Sequence, residues 1–224
     1  TPIFYVLKPA EWNSTSLRTQ IRAAVAEATR RCWLRPNAVD SLNGGNTGDN
    51  LGDEYFPIIH FRDSDEGALI VDLMLKGGGC ENVGAQYSLP DLQLNAGRDL
   101  DGVRRAALDA VQRAQGEGCA PGFLGIAIGG DRGTSYMRSK ETLFENLEEP
   151  NADPGLDLLE RQILLEANQL GIGPMGFGGK TSLLGVKIGA AHRLPACYFV
   201  SISYMCWAFR RRRMVLTANS VSYE

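Results

Sequence analysis

Five cysteines and two histidines, set among clusters of glycine, carry most of the chemistry open to this 224-residue chain. Cys119 stands just before the apolar run 123–128, and Cys206 just after the apolar run 198–203. Element ends of a sheet are where side chains can be held firmly and still reach a ligand. Their placement makes these two thiols candidates for chemistry, although two packed structural thiols remain the plainer alternative. No Cys-x-x-Cys pair and no zinc-finger spacing occurs, which argues against a structural zinc site. Cys32 falls on the apolar face of a helical pattern and is expected to fill core; Cys197, near a strand, reads the same way. His192 follows a strand in Ala191-His192-Arg193-Leu194-Pro195, whereas His60 lies inside a strand pattern. Either could be a satisfied structural histidine. Arg35, beside Pro36 at a helix end, could hold a carboxylate through its two-pronged guanidinium, or could be a surface arginine.

Glycine allows a second kind of site. Gly77-Gly78-Gly79 follows a strand directly, so backbone amides there could approach an anion unobstructed; the plainer reading is a tight turn. It is neither a phosphate loop nor a dinucleotide fingerprint. Gly179-Lys180-Thr181 does contain the Gly-Lys-Thr of a phosphate loop, but the glycine required five residues before Gly179 is Pro174, and no strand precedes it. A nucleotide-binding protein is accordingly the weakest functional reading.

The elements that must position these groups are those of an ordinary globular chain, 44% hydrophobic and 22% charged. A net charge of −3 argues against nucleic acid as the main partner. No apolar run is long enough for a bilayer, so no membrane partner is expected. An odd cysteine count in a chain of this size favours a reduced, cytoplasmic setting. Residues 1–7 read as a buried strand already under way, and a core strand at the first residue is expected to continue something upstream. Leu17, Ile21, Val25, Ala28 and Cys32 recur at helical spacing behind the cap candidates 13–16, and Pro36 stops that helix. Strands are expected over 56–61, 68–75, 123–128, 184–188, 198–203 and 214–217. Helices are expected over about 100–115 and 156–170, the second capped by Asp153-Pro154 and closed by Gly171. Residues 131–154 show no period, and the arginines 210–213 read as a solvated face or subunit contact. Helices and strands intermix without strict alternation, which predicts one α+β domain over 1–224, a mixed sheet flanked by helices.

In order and spacing, several segments together resemble the α subunit, or N-terminal domain, of the class I fumarate hydratase and L-tartrate dehydratase family. They are Asn46-Thr47-Gly48-Asp49-Asn50-Leu51, Lys76-Gly77-Gly78-Gly79-Cys80-Glu81-Asn82, Cys119-Ala120-Pro121-Gly122 with Ile128-Gly129-Gly130, Glu166-Ala167-Asn168-Gln169-Leu170-Gly171-Ile172-Gly173, Phe177-Gly178-Gly179-Lys180, His192, and Cys206-Trp207-Ala208. The resemblance implies a hydro-lyase of the tricarboxylic acid cycle that interconverts fumarate and malate, with tartrate or another hydroxy diacid as the alternative substrate. It implies a 4Fe–4S cluster held by three cysteines, two of them Cys119 and Cys206. The third belongs to a Cys-Gln-Asp-Thr-Gly motif that this sequence lacks and that is expected immediately upstream of Thr1. Cys80 falls where the family often carries serine and is not counted as a ligand. Three thiolates leave one iron open as a Lewis acid. Donors to the far carboxylate of a small dicarboxylate are implied to be Arg35, the Gly79 backbone and His192. The catalytic base is expected outside the chain. A β subunit or C-terminal fumarase domain, in a homodimer of α/β units, is implied as partner. Residues 1–224 alone are therefore expected to hold the cluster poorly or not at all and to be inactive. The competing expectation is an interaction domain of the same fold that has lost the chemistry.

Overall fold

A computed structural model describes all 224 residues. The class is α+β, with mixed sheets and flanking helices, and the strands divide between two sheets. These fall into two compact units, Thr1–Lys76 with Arg210–Glu224, and Gly77–Phe209.

In the first unit, β1 (Pro2–Pro9) is the central strand, parallel to β2 (Ile58–Ser64) and antiparallel to β3 (Leu69–Leu75). The sheet continues through β8 (Arg210–Leu216) to β9 (Val221–Tyr223), giving the order β2-β1-β3-β8-β9. Helix α1 (Ser14–Arg30) starts where Asn13 accepts a hydrogen bond from the Ser16 amide, and it packs Leu17 and Val25 against Phe4, Val6, Ile59 and Leu69. The helix stops two residues short of the last position in its apolar spacing. Cys32 consequently lies beyond it, exposed and at φ +60°, in a turn closed by the Cys32 and Trp33 amides. It is not core filler. The arginine run is strand β8, and Arg213 grips Asp72 of β3 through two bonds of 2.7 and 2.8 Å.

The second unit is built on a four-stranded sheet in the order β4 (Ala85–Ser88), β7 (Phe199–Cys206), β5 (Gly122–Ile128), β6 (Leu183–Ala190). Strand β5 is parallel to β6 and antiparallel to β7, and the short β4 edges β7. Side-chain alternation sorts the two faces. Leu124, Ile126, Ile128, Val200, Ile202 and Tyr204 point into the apolar core with α3 (Leu100–Ala114) and α5 (Pro154–Gln169). Ser201 and Ser203 point the other way, to α4 (Arg132–Glu141), where they meet Ser135 and Ser139 at 2.7 and 2.8 Å. Helix α4 comes so close that a Cβ on Gly125 would stand 2.1 Å from the Ser139 carbonyl. This helix was invisible as a period because the face it buries is serine rather than leucine. Asp153 caps α5 and Gly171 follows it at φ +70°, as the sequence indicates. The triple glycine is not a simple turn: Gly77 caps a short helix α2 (Gly78–Asn82). Gly179-Lys180-Thr181 leads into β6, not a helix, so it has no phosphate-loop topology.

Candidate functional site

The site forms at one end of the second sheet. In the β5–β7 register Gly122 faces Cys206, the last residue of β7. Cys119 sits three residues earlier, in the turn that delivers the chain into β5. That turn is held in an unusual course: Cys119 has φ +60° and its amide donates to the Gly116 carbonyl at 3.0 Å. The glycine-rich segment 171–179 braces it, with the Met175 amide donating to the Ala120 carbonyl at 2.9 Å. A Cβ on Gly116 would lie 2.1 Å from the Met175 carbonyl oxygen, so the two loops can approach this closely only with glycine. Asn168, in the last turn of α5, accepts from the Ser182 and Leu183 amides at 2.6 and 2.9 Å and fixes the start of β6 beside this turn.

Tyr204 lies at the centre. It is 2% exposed, two residues before Cys206 and on the same face of β7. Its ring is clasped by the turn: a Cβ on Gly118 would stand 2.5 Å from the ring, and one on Gly122 2.3 Å. Burial raises the Tyr204 pKa, and the thiols of Cys80, Cys206 and Cys119 are near enough to push it further in the same direction. Three segments of this unit thus meet around one phenol: the end of β7, the turn before β5, and α2. Its hydroxyl has no hydrogen-bond partner.

Helix α2 closes the remaining side. The buried Cys80 thiol points to the Gly118 carbonyl at 3.6 Å, and a Cβ on Gly79 would be 2.9 Å from the Glu117 carbonyl. Cys119 and Cys206 are half-buried. The donor set is soft sulfur, which suits iron–sulfur centres or thiophilic metals. No group of three or more His, Cys, Asp or Glu side chains is placed to hold a metal ion by itself.

The other candidates lie elsewhere. His192 is exposed, and its carbonyl accepts from the Gly130 amide, beyond the Ile128 end of β5. That end is about 20 Å from Gly122 at the ordinary rise per strand residue. Within this unit, His192 and the thiols therefore lie toward opposite ends of β5. Arg35 is exposed in the first unit. Its backbone is held by a residue that pattern reasoning passed over: Asn50, fully buried at φ +62°, donates to the Arg35 carbonyl at 2.7 Å and the Thr29 hydroxyl at 2.9 Å, and accepts from the Asn37 amide at 2.6 Å. The available signal was an asparagine, which tolerates left-handed backbone, closing the loop run Asn46-Thr47-Gly48-Asp49-Asn50. Tyr204 gave none, since an isolated aromatic in a strand reads as core.

The site is thus the end of a mixed sheet in an α+β unit, where cysteines at strand ends lie around a glycine-lined turn. The comparisons with known proteins name the family. The family profile of fumarate hydratase (fumerase) matches residues 1–215, and the chain belongs to that family. It is 50% identical over 222 residues to a protein of Geobacillus stearothermophilus provisionally named a class I fumarate hydratase, covering 98% of this chain and 43% of that protein. It is 34% identical over 224 residues to a Methanocaldococcus jannaschii protein, provisionally named an L(+)-tartrate dehydratase subunit alpha, covering 97% of this chain and 77% of the relative. It is 29% identical over 207 residues to the L(+)-tartrate dehydratase subunit alpha of Escherichia coli K12, covering 91% and 65%. The chain thus spans less than half of its Geobacillus relative. No helix is long and apolar enough to cross a membrane.

Proposed function

We propose that this chain is the cluster-binding part of a cytoplasmic hydro-lyase that reversibly hydrates fumarate to malate, with Cys119 and Cys206 as two of three ligands to a 4Fe–4S cluster. One observation carries the reading: thiols 87 positions apart in sequence come to the same end of the second sheet, Cys119 three residues before the Gly122 that pairs with Cys206. When bound, such a cluster supplies Lewis-acid activation of a hydroxyl and a carboxylate. The chain's own residues do the rest. The glycines of the Cys119 turn let its thiol stand beside the Cys206 strand end. Gly79 presents a backbone free of side chain to one end of a small dicarboxylate. Arg35 and His192 are further donors to the far carboxylate on the family resemblance alone, and His192 acts at a place other than beside the thiols of its own unit. The third ligand and the catalytic base come from outside residues 1–224, and the partner is a β subunit or a C-terminal fumarase domain in a dimer of α/β units.

Anaerobic iron and sulfide reconstitution of the protein expressed from its complete gene tests this. A broad visible band should appear, and Cys119→Ser or Cys206→Ser should abolish it. A wild-type band that survives both substitutions refutes the ligand assignment. Residues 1–224 alone should not turn over fumarate or malate in an ultraviolet assay, and turnover by that fragment refutes the claim that the base lies elsewhere.

Dehydration of tartrate is the second reading. It is favoured by the Methanocaldococcus relative, of which the chain covers the larger share. Fumarate, malate and tartrate offered in parallel separate the two by their kcat/KM.

A further inference from the structure

We propose that Tyr204 is a positioning residue whose phenol donates a hydrogen bond to a sulfur of the iron–sulfur centre, either a cysteine ligand or a cluster sulfide. The proposal rests on the cluster reading above and names a residue that reading does not require. A buried phenol in a folded protein ordinarily finds an acceptor. The Tyr204 hydroxyl is buried and has none within the chain. Phenylalanine would fill the same cleft between Gly118 and Gly122 without burying an orphaned O–H, so packing does not explain the hydroxyl.

The surroundings indicate what receives it. Cys206 lies two residues further along the same face of β7, the turn that carries Cys119 closes on the ring through Gly118 and Gly122, and Cys80 reaches the same turn from α2. Cys80 is already directed at the Gly118 carbonyl, which leaves the two proposed ligands and whatever they hold. Thiolates and sulfides accept hydrogen bonds, and donors to them raise the reduction potential of the cluster. The ring cannot swing aside to find another partner. Gly118 and Gly122 close on it from the turn, and Tyr204 faces Leu124 across the β5–β7 ladder. The donor is therefore fixed in place before any cluster arrives, as outer-shell partners of metal ligands generally are.

The test is Tyr204→Phe in the complete protein, reconstituted anaerobically beside wild type. Three readouts are needed: the melting temperature of the cluster-free protein, the cluster potential from a dye-mediated titration followed by electron paramagnetic resonance, and iron retention against a chelator. The cluster-free variant should melt at or above the wild-type temperature, because it loses an unpartnered hydroxyl. Its cluster should titrate at lower potential, and its iron should be lost about 10-fold more readily. A cluster with unchanged potential and retention overturns the proposal and leaves the cluster reading standing. A cluster-free variant that melts well below wild type also overturns it, since the hydroxyl then has a partner in the protein itself. Failure of the wild type to take up any cluster overturns the underlying reading and this inference together.

Discussion

Gly122→Ala puts the geometry of the thiol site under direct strain. A Cβ there would stand 2.3 Å from Tyr204 Cζ and 2.4 Å from both Cε1 and the hydroxyl oxygen. Ordinary carbon contacts lie near 3.5 Å, so the ring must withdraw by roughly 1 Å. It has little room, because it is 2% exposed and faces Gly118 as well. Overpacking of this kind costs about 1–3 kcal/mol, and so short a contact to a rigid ring belongs at the upper end. Replacing a strand glycine returns roughly 0.5–1 kcal/mol. The net loss is about 2 kcal/mol, a fall in melting temperature of about 4–8 °C for a chain of this length. Urea denaturation and a thermal melt measure it. Gly78→Ala is the control, because a Cβ there meets nothing within 4 Å and its backbone needs no positive φ. It should leave stability unchanged or raise it by about 0.5–1 kcal/mol. Adding Tyr204→Phe to Gly122→Ala should not restore stability, since the ring carbon at 2.3 Å remains. If Gly122→Ala is as stable as wild type, or if Tyr204→Phe rescues it, the described clasp around the ring is wrong.

Other outcomes follow from the same structure. Cys80→Ser should leave the visible band of the reconstituted protein in place, because that thiol is turned to the Gly118 carbonyl; loss of the band would make Cys80 a ligand. Asn50→Ala should destabilise by about 1–3 kcal/mol in urea, since it orphans groups held in a buried site. If it does lower stability, substrate affinity should fall too should Arg35 bind a carboxylate. Glu145 is half-buried, and desolvation raises its pKa above the ordinary 4.5, outweighing Arg138 and Lys187, while Glu160 adds to the rise. A raised folded value means that its favourable contribution is complete below pH 4.5 and is lost as pH rises through that higher value. Glu145→Gln should therefore gain stability relative to wild type as pH rises across that window, measured as the difference in melting temperature. A difference that stays flat or shrinks refutes the assignment.

Several features were readable in the sequence because they are local. Leu17, Val25 and their repeats give α1, Val103 to Ala114 give α3, and Asp153 with Gly171 brackets α5, since helical period and capping chemistry depend on near neighbours. Strands β1, β3, β5, β6 and β7 were evident as apolar runs. Helix α4 and strand β4 were not. The buried face of α4 is Ser135 and Ser139, which become interior only because Ser201 and Ser203 wait opposite, and β4 is too short to show a period. Cys32 was misplaced because its spacing fits a helix that a turn ends first.

Family, class of fold and the two cysteines at element ends are legible from residue order alone, because motif order and local pattern survive without coordinates. Which of the candidate residues meet is settled by the folded chain. Strand register brings Cys206 opposite Gly122 and so beside Cys119, seats Tyr204 among the thiols, and carries His192 to the far end of the same sheet. Register and long-range pairing are properties of the folded chain, fixed by which faces bury together, and no window of adjacent residues contains them.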